Sequence, residues 1–383
     1  MSIPDVLIVG AGPVGLWTAV QTKLRNRNLV VEVLEKHAEY QRKHVLQLNP
    51  RSLKGAPPEM QDVVREFRAS RMLGTNVIEE KLAKLAAELE IVVRKNAQVT
   101  EPGTLRAKVI VGADGARSVV RKKIFGKMAV EQDLRYIVEV KYEVEGQGKA
   151  LNLVKEAYPT LKMMGAIAQE HVSKVRDGKT QVTLRLFVDK EKYEEVNRMG
   201  ASFQNPLSLD NEELRYSELW NNIMAWLNVK KTKGENRVPN SERITVTRLG
   251  VYASEKVVHE VDGRIYCLVG DAAFGVPFFR SLNNGLLCGT QLSKRIVQAL
   301  GPKPEGISEK LSGSLSAGPW TQYSVYVGTL RRTEILWARF KSFFLSILLW
   351  FVQISAQVPW QMNYWSEAEV RELRPDALNL RLA

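Results

Sequence analysis

The sequence predicts an α/β fold with a parallel-sheet domain, an inserted lobe built on an antiparallel sheet, and a C-terminal helical segment. Three observations support this arrangement. Near the N-terminus, the continuous apolar run VLIV leads into a glycine turn and then into an apolar helix. From Tyr136 onward, apolar and polar residues alternate in several runs, as half-buried antiparallel strands do. Residues 318–365 hold five of the eight tryptophans around an apolar run, which predicts a helical segment apart from the sheets.

Composition and charge exclude several classes of protein. The 383 residues are 45% apolar and 25% charged, which is ordinary for a globular chain and excludes a disordered or fibrous one. The two cysteines, Cys267 and Cys288, are too few for a disulfide scaffold, and no Cys/His spacing predicts a zinc or other metal site. The net charge of +13 is dispersed and accompanies no nucleic-acid-binding signature, so we expect no nucleic-acid partner.

The N-terminal glycine turn reads GAGPVG and has the spacing of a dinucleotide-binding motif. Gly10 would make the tight turn, Gly12 would let a pyrophosphate approach the backbone, and Gly15 would let helix and strand pack closely. Pro13 and Val14 complete the turn, and the helix that follows presents free N–H groups to phosphates. We therefore predict that these five residues bind a dinucleotide.

A second apolar strand, LVVEVLEK, follows this helix and contains Glu35 and Lys36 at its end. Glu35 lies 20 residues beyond Gly15, where a carboxylate accepts hydrogen bonds from the ribose hydroxyls. No arginine neighbours Glu35, which favours a nucleotide without a 2′-phosphate. Strand, glycine turn, helix, strand and acid together predict a Rossmann-like domain with Glu35 and Lys36 in its cofactor site.

Two later stretches also place an aspartate in a glycine turn after an apolar strand. The first, GADGARS, contains Asp114, Gly115 and Arg117. The second, GDAA, contains Gly270 and Asp271, and the Asp271 carboxylate is suited to accept a hydrogen bond from a ribityl hydroxyl. Both turns are therefore predicted to contact the cofactor.

The segment NNG precedes the apolar stretch LLCGTQL and predicts the start of a helix with asparagine caps. Its residues are Asn283, Asn284 and Gly285. A helix N-terminus attracts a phosphate or another electron-rich group, so we predict that these residues face the flavin ring or a phosphate of the cofactor.

The set GAGPVG, GADGARS and GDAA, in this order, resembles the class A FAD-dependent monooxygenases, which include p-hydroxybenzoate hydroxylase, kynurenine monooxygenase and the MICAL flavin domain. The resemblance implies a Rossmann-like FAD-binding domain in which Asp114, Gly115 and Arg117 serve FAD and NAD(P)H. It also implies that Gly270 and Asp271 contact the flavin ribose and ribityl chain.

The same resemblance extends to two shorter segments. QRKHVLQL is similar to the segment that carries a flavin- or NADPH-facing arginine in the family, and Arg42 is the matching residue. VPFF is similar to the segment beside the flavin ring of kynurenine monooxygenase, which implies a cofactor contact at Pro277. Phe278, Phe279 and Arg280 are expected to lie next to the substrate. Arg280 stands where the sequence departs from the family, and its positive charge would suit a reduced, anionic flavin.

The resemblance implies an FAD-dependent, NAD(P)H-using monooxygenase that hydroxylates an aromatic or hydrophobic small molecule with molecular oxygen, through a flavin hydroperoxide. It implies no particular catalytic residue. PFFRSLNNG replaces the glycine-rich loop PxxGQGxNxG that is usual in the family. Two alternatives therefore stay open: an FAD-linked reductase or dehydrogenase of the same fold, and a non-catalytic flavin-fold binding protein.

We expect three regions along the chain. They are a discontinuous FAD-binding domain (1–125 and 246–312), a substrate lobe (126–245), and a C-terminal helical, tryptophan-rich segment (313–383). Within the first region, apolar spacing predicts a helix over 76–89, with Asn76 and Glu79 as a capping box.

The C-terminal segment has two interpretations. Residues 335–365 combine an apolar run, tryptophans and basic residues, which favours a helix lying at a membrane surface. The same residues also fit a helix buried in the core or in an oligomer interface. The N-terminus carries no basic leader, so we expect a cytoplasmic protein, with membrane association through 335–365 under the first interpretation.

Overall fold

The computed structural model describes residues 3–39, 45–69, 72–150, 168–277, 280–301 and 318–357. The chain divides into two compact units. The first comprises Met1–Gln132 and Gly250–Ala338, and the second comprises Asp133–Leu249 and Arg339–Ala383. Three residues predicted to lie in the site, Arg42, Phe278 and Phe279, fall outside the described residues.

The regular elements follow in chain order. The strands are β1 (Val6–Val9), β2 (Val31–Leu34), β3 (Val45–Gln47), β4 (Met72–Gly74), β5 (Val92–Arg94), β6 (Val109–Gly112), β7 (Met128–Glu145), β8 (Ala168–Val172), β9 (Lys179–Val188), β10 (Arg243–Ser254), β11 (Val258–Val261), β12 (Arg264–Leu268) and β13 (Phe274–Gly275). The α-helices are α1 (Pro13–Arg25), α2 (Gln61–Ala69), α3 (Thr75–Glu88), α4 (Lys190–Arg198), α5 (Glu212–Arg215), α6 (Glu218–Thr232), α7 (Ser281–Leu300) and α8 (Pro319–Gln357). Short 3₁₀ and π turns connect some of them.

The first unit is built on a sheet with the strand order β11-β12-β6-β1-β2-β5. Strands β12, β6, β1, β2 and β5 pair in parallel, and β11 is antiparallel at the edge. All four residues of β1 and of β6 are buried, as expected for central parallel strands with continuous apolar sequences. The parallel sheet confirms the predicted α/β class.

Helices α1 and α7 pack closely in this unit, and α1 starts at the glycine turn. The indole Nε1 of Trp17 donates to the Leu286 carbonyl (3.1 Å) and lies 3.0 Å from Thr290 Oγ1. A Cβ added at Gly289 would lie 2.6 Å from Thr18 Oγ1, so only glycine permits this approach. The contact fixes the start of α7 against the start of α1.

Helix α3 begins one residue earlier than predicted, and the predicted capping box is wrong. The helix begins at Thr75 with Gly74 as its N-cap, so Asn76 lies inside the first turn. No side chain caps this end of the helix. A capping box needs its first residue outside the helix, where the side chain reaches the free N–H groups. Glu79 therefore has no capping role, and its Oε2 is buried without a hydrogen-bond partner.

A second sheet is antiparallel and has the strand order β13-β10-β7-β9-β8; β8 and β9 lie wholly in the second unit. Strands β7 and β9 pair from Tyr136↔Val188 to Glu145↔Lys179. Their alternate apolar residues are buried in one cluster with residues of α4, α5 and α6, including the fully buried Trp226. The alternation seen in the sequence therefore marks a sheet-on-helix core in this unit.

Helix α8 is the longest of the described helices, and its buried residues include Tyr323, Val327, Ile335 and Ala338. The Tyr323 hydroxyl donates to the Leu268 carbonyl at 2.7 Å, which attaches the helix to the end of β12. Among the described residues, no helix is long and apolar enough to cross a membrane.

Candidate cofactor site

The three glycines of GAGPVG have three different environments. Gly10 has φ = +107°, and a Cβ there would lie 2.6 Å from the Ala113 carbonyl oxygen. A Cβ at Gly15 would overlap the Gly10 carbonyl oxygen. A Cβ at Gly12 would meet no atom within 4 Å. Gly10 and Gly15 are thus required by packing within the protein, whereas the space beside Gly12 is open to a ligand.

The N-terminus of α1 has the features of an anion site. Gly12 is its N-cap and forms no side-chain hydrogen bond, and no acidic residue lies in the first turn. Pro13, which is buried, occupies the first helical position. The first backbone hydrogen bond of the helix runs from the Leu16 N–H to the Gly12 carbonyl. The N–H groups before Leu16 have no intrahelical acceptor, which is the arrangement that binds phosphates.

Glu35 lies at the end of β2 and is attached to the glycine turn. Its Oε2 accepts from the Ala11 N–H at 2.8 Å, and its Oε1 accepts from the His37 N–H at 2.9 Å. Because an ionised carboxylate offers about four acceptor positions, the half-buried Glu35 keeps capacity for ribose hydroxyls. Lys36 follows it and is exposed.

A second carboxyl group, that of Glu79, lies close enough to Glu35 for the two groups to interact electrostatically. The pKa of Glu79 is raised to about 7, first by burial and then by the negative charge of Glu35, with Lys95 opposing the rise. Sequence reasoning assigned Glu79 to a helix cap and missed this pairing. Nothing in the local sequence links Glu79 in α3 with an acid after β2.

The turn after β6 is held by Asp114. Its Oδ2 accepts from the Val119 N–H at 2.6 Å and lies 3.3 Å from the Val120 nitrogen. Its Oδ1 is buried and has no partner. Gly115 has φ = +79°, a backbone conformation that residues with a side chain adopt only with strain, and Arg117 is exposed. Asp114 therefore closes its own turn with one oxygen and leaves the other available.

Val14 is the point where three of the predicted segments meet. A Cβ added at Gly270 would lie 3.0 Å from Val14 Cγ1, and one added at Gly285 would lie 2.5 Å from Val14 Cγ2. Gly270 also has φ = +61°. Both glycines are therefore required for the glycine turn, the GDAA turn and the start of α7 to pack together.

A buried arginine that the sequence reasoning missed joins two of these turns. The Arg121 guanidinium donates to the carbonyls of Asp271 (3.1 Å), Ala272 (2.9 Å) and Ala116. The Tyr252 hydroxyl also donates to the Asp271 carbonyl, at 3.1 Å. These bonds fix the Asp271 backbone. Three consecutive basic residues stand at 121–123, and the sequence contains no signal that selects the first of them for burial.

The prediction that Asn283 and Asn284 cap α7 is wrong, because the helix begins at Ser281 with Arg280 as its N-cap, and both asparagines lie inside the first turn. They differ in their surroundings. The Asn283 side-chain oxygen accepts from the Asn49 N–H (2.7 Å) and from the Ser52 hydroxyl (2.9 Å). Asn284 is 4% exposed, and its Nδ2 is buried without a partner. Asn283 thus anchors a neighbouring loop, whereas Asn284 retains an unused donor beside Gly285.

Arg280, which ends the segment before α7, is bound to a buried acid. Its Nε and Nη2 donate to the two carboxylate oxygens of Glu334, whose side chain is 5% exposed. This bidentate hydrogen bond raises the pKa of Arg280. Pro277, three residues earlier, is half-buried. Glu334 was missed because it lies in α8, 54 residues away in the chain.

All of the described site residues belong to the first unit. Within the described parts of the chain, no group of three or more His, Cys, Asp or Glu residues is placed to hold a metal ion. Cys267 and Cys288 are free and buried, and burial raises the pKa of Cys288 to about 12. The described donors and acceptors are suited to a dinucleotide.

Comparison with solved structures identifies the class of fold. Three similar structures are CabE, an aromatic hydroxylase from angucycline biosynthesis (TM-score 0.57, 14% identity, 97% of this chain and 75% of that chain covered), the Diels-Alderase PyrE3 from pyrroindomycin biosynthesis (0.58, 15%, 96% and 79%), and pqsL, a probable FAD-dependent monooxygenase from Pseudomonas aeruginosa (0.53, 12%, 88% and 94%). No family model and no curated protein sequence matches the chain.

The fold of this chain is the fold of the class A FAD-dependent monooxygenases, as the motifs predicted. At identities of 12–15%, the likeness to these three structures is one of fold.

Proposed function

We propose that this protein is an FAD-dependent, NAD(P)H-using monooxygenase that acts on an aromatic or hydrophobic small molecule. The observation that carries the proposal is the open side of Gly12 above an uncapped helix N-terminus, in a turn whose other two glycines admit no side chain. A turn shaped only by internal packing has no need of glycine at position 12, since its backbone is extended there (φ −67°, ψ 174°). A close ligand explains the glycine.

The residues of this chain fit FAD by their unused hydrogen-bonding groups. Gly12 and the first turn of α1 would hold the diphosphate, and Glu35 would accept from the ribose hydroxyls. The buried Asp114 Oδ1 is an acceptor without a donor, and the buried Asn284 Nδ2 is a donor without an acceptor. Buried polar groups are nearly always satisfied, so two orphans beside one glycine turn support a ligand with both donors and acceptors.

When bound, FAD supplies hydride acceptance from NAD(P)H and the activation of molecular oxygen. The chain supplies binding, orientation and exclusion of water. Arg121 and Tyr252 serve orientation, because they fix the Asp271 backbone beside the site. The hydroxylase CabE and the monooxygenase pqsL have the same fold, which supports the choice of reaction; the aromatic or hydrophobic substrate follows from the family resemblance.

Two observations leave room for a function other than oxygenation. PyrE3 is a Diels-Alderase with this fold, so the fold also accommodates chemistry other than oxygenation. Arg280 is paired with Glu334, so its charge is partly compensated before any cofactor binds. A reductase or dehydrogenase, and a protein that binds flavin without catalysis, are therefore the outcomes to be distinguished.

The test is the visible absorption spectrum of the purified protein, recorded before and after anaerobic addition of NADPH or NADH. We expect a flavin spectrum that bleaches and that returns on admission of oxygen. A screen of aromatic compounds then seeks a substrate that speeds the bleaching and appears as a hydroxylated product. Reduction with a substrate product that lacks added oxygen favours the reductase. A protein that cannot be loaded with FAD overturns the proposal.

We also propose a cytoplasmic location. Two free, buried cysteines and the absence of any disulfide among the described residues are consistent with a reducing compartment.

A further inference from the structure

The segment of α8 after Arg339 exposes its aromatic residues and buries a serine. Phe340, Phe343 and Phe344, here called the phenylalanine face, are 55%, 64% and 59% exposed. Ser342, which lies between them in sequence, is 8% exposed. In most helices of globular proteins, the aromatic residues are buried and the serines are exposed. Here the arrangement is the reverse.

The buried side of this segment is held by polar contacts. The Arg135 guanidinium in β7 donates to the Ser342 carbonyl (2.7 Å) and to the Ser346 hydroxyl. The Ser342 hydroxyl lies 3.3 Å from the Leu134 carbonyl oxygen. Since these residues are all in the second unit, the contacts fix which side of the helix faces the protein. The outward position of the phenylalanine face is therefore built into the packing.

Positive charge borders the phenylalanine face. Arg339 and Lys341 are exposed and lie, by helical spacing, on its two opposite sides. The sequence from Ile335 to Gln357 contains no aspartate or glutamate. The preceding turn adds Leu336, which is 68% exposed. An apolar helix face bordered by cations matches the headgroup layer of an anionic membrane, where the rings enter the acyl boundary and the cations meet phosphates.

We propose that the phenylalanine face of α8 docks this protein on an anionic lipid surface, with the helix lying in the plane of the interface. Over its described residues, the helix has no stretch that is apolar enough to cross a membrane. A second copy of the chain is a poorer occupant. A symmetric contact would bring the like charges of Arg339 and Lys341 of both copies close together.

The test is co-sedimentation of the full chain with vesicles of phosphatidylcholine containing phosphatidylserine, and with vesicles of phosphatidylcholine alone. We expect binding to the anionic vesicles that weakens as salt is added, and little binding to the neutral ones. The double variant Phe340→Ser/Phe343→Ser is expected to lower partitioning about 100-fold. The double variant Arg339→Gln/Lys341→Gln is expected to lower it about tenfold or more.

Phe203→Ser is the matched control, because Phe203 is 69% exposed and lies outside α8. It should bind vesicles like the wild type, and far-ultraviolet circular dichroism should show that every variant is folded. Absence of binding to anionic vesicles overturns the proposal, as does equal binding by the double phenylalanine variant. A wild-type dimer that this variant dissociates, without vesicle binding, assigns the face to a second copy instead. None of these readouts needs FAD, so they stand apart from the test of the proposed function.

Discussion

The glycine turn before α1 and the segment before α7 both border the candidate cofactor site, yet they are built in different ways. In the glycine turn, the backbone itself requires two of the three glycines: a Cβ at Gly10 or Gly15 would collide with a carbonyl oxygen. In the segment before α7, side chains from distant parts of the chain decide the structure, with Glu334 holding Arg280 and Asn49 bound to Asn283. Local sterics can be recognised in a sequence motif, whereas long-range partners cannot.

The largest loss of stability is expected from a side chain added at Gly15, where the glycine turn has no room for a Cβ. In Gly15→Ala, the new Cβ overlaps the Gly10 carbonyl oxygen, and neither backbone can move without breaking β1 from α1. We expect a loss of stability on the order of 4 kcal/mol, read as a fall in Tm or a failure to fold. Gly103→Ala is the control, because a Cβ there meets nothing within 4 Å. A stable Gly15→Ala protein would contradict the packing described for this turn.

The segment before α7 should respond asymmetrically to loss of either charge of its ion pair. Arg280→Met leaves Glu334, with a side chain only 5% exposed, without its partner, and we expect a cost of about 3 kcal/mol. Glu334→Gln leaves Arg280, which is 42% exposed and can turn to water, at a cost of about 1 kcal/mol or less. Urea denaturation of both variants measures the difference. Equal losses of stability in the two variants would show that the difference in burial between Arg280 and Glu334 does not determine the cost of losing its partner.

Gly12 sharpens the comparison, because it is the glycine that packing does not require. Gly12→Val places its side chain in open space and in an extended backbone, so the fold should survive with little change in Tm. The affinity for FAD should fall about 100-fold or more, since the side chain occupies the approach of the pyrophosphate. Titration of flavin fluorescence measures it. Unchanged FAD binding would remove the observation on which the proposed function rests.

The smallest effect concerns Glu79, whose pKa is raised from its ordinary value of 4.5 to about 7, first by burial and then by the negative charge of Glu35. The folded protein binds this proton more tightly than the unfolded chain, so stability should fall as the pH rises from about 4.5 to 7. Glu79→Gln should remove about 1–2 kcal/mol of this fall, because the side chain is only partly buried. Urea denaturation across this pH range tests it.

Glu80→Gln is the matched control for this prediction, since Glu80 is exposed on the same helix. It should leave the pH dependence of stability unchanged. If the stability of Glu79→Gln and of Glu80→Gln depends on pH in the same way, the raised pKa of Glu79 does not cause the fall in stability between pH 4.5 and 7.

Much of the fold was predictable because its signals are local. The apolar run of β1, the spacing of Gly10, Gly12 and Gly15, and the alternation in β7 and β9 each follow from the geometry of a few consecutive residues. The start of α3 was wrongly predicted, since a polar residue in its first turn resembles a cap.

By itself, the sequence determined the α/β class, the glycine turn and the position of Glu35, because backbone sterics and side-chain periodicity act within single elements. Only the tertiary structure decided that Arg121 bridges two turns, that Glu334 holds Arg280, and that the phenylalanine face points outward. The physical reason is the same in all three cases. Each depends on contacts between residues that lie 54 to 211 positions apart in the chain. The electrostatic and packing energies of such contacts are set by burial, which no local pattern encodes.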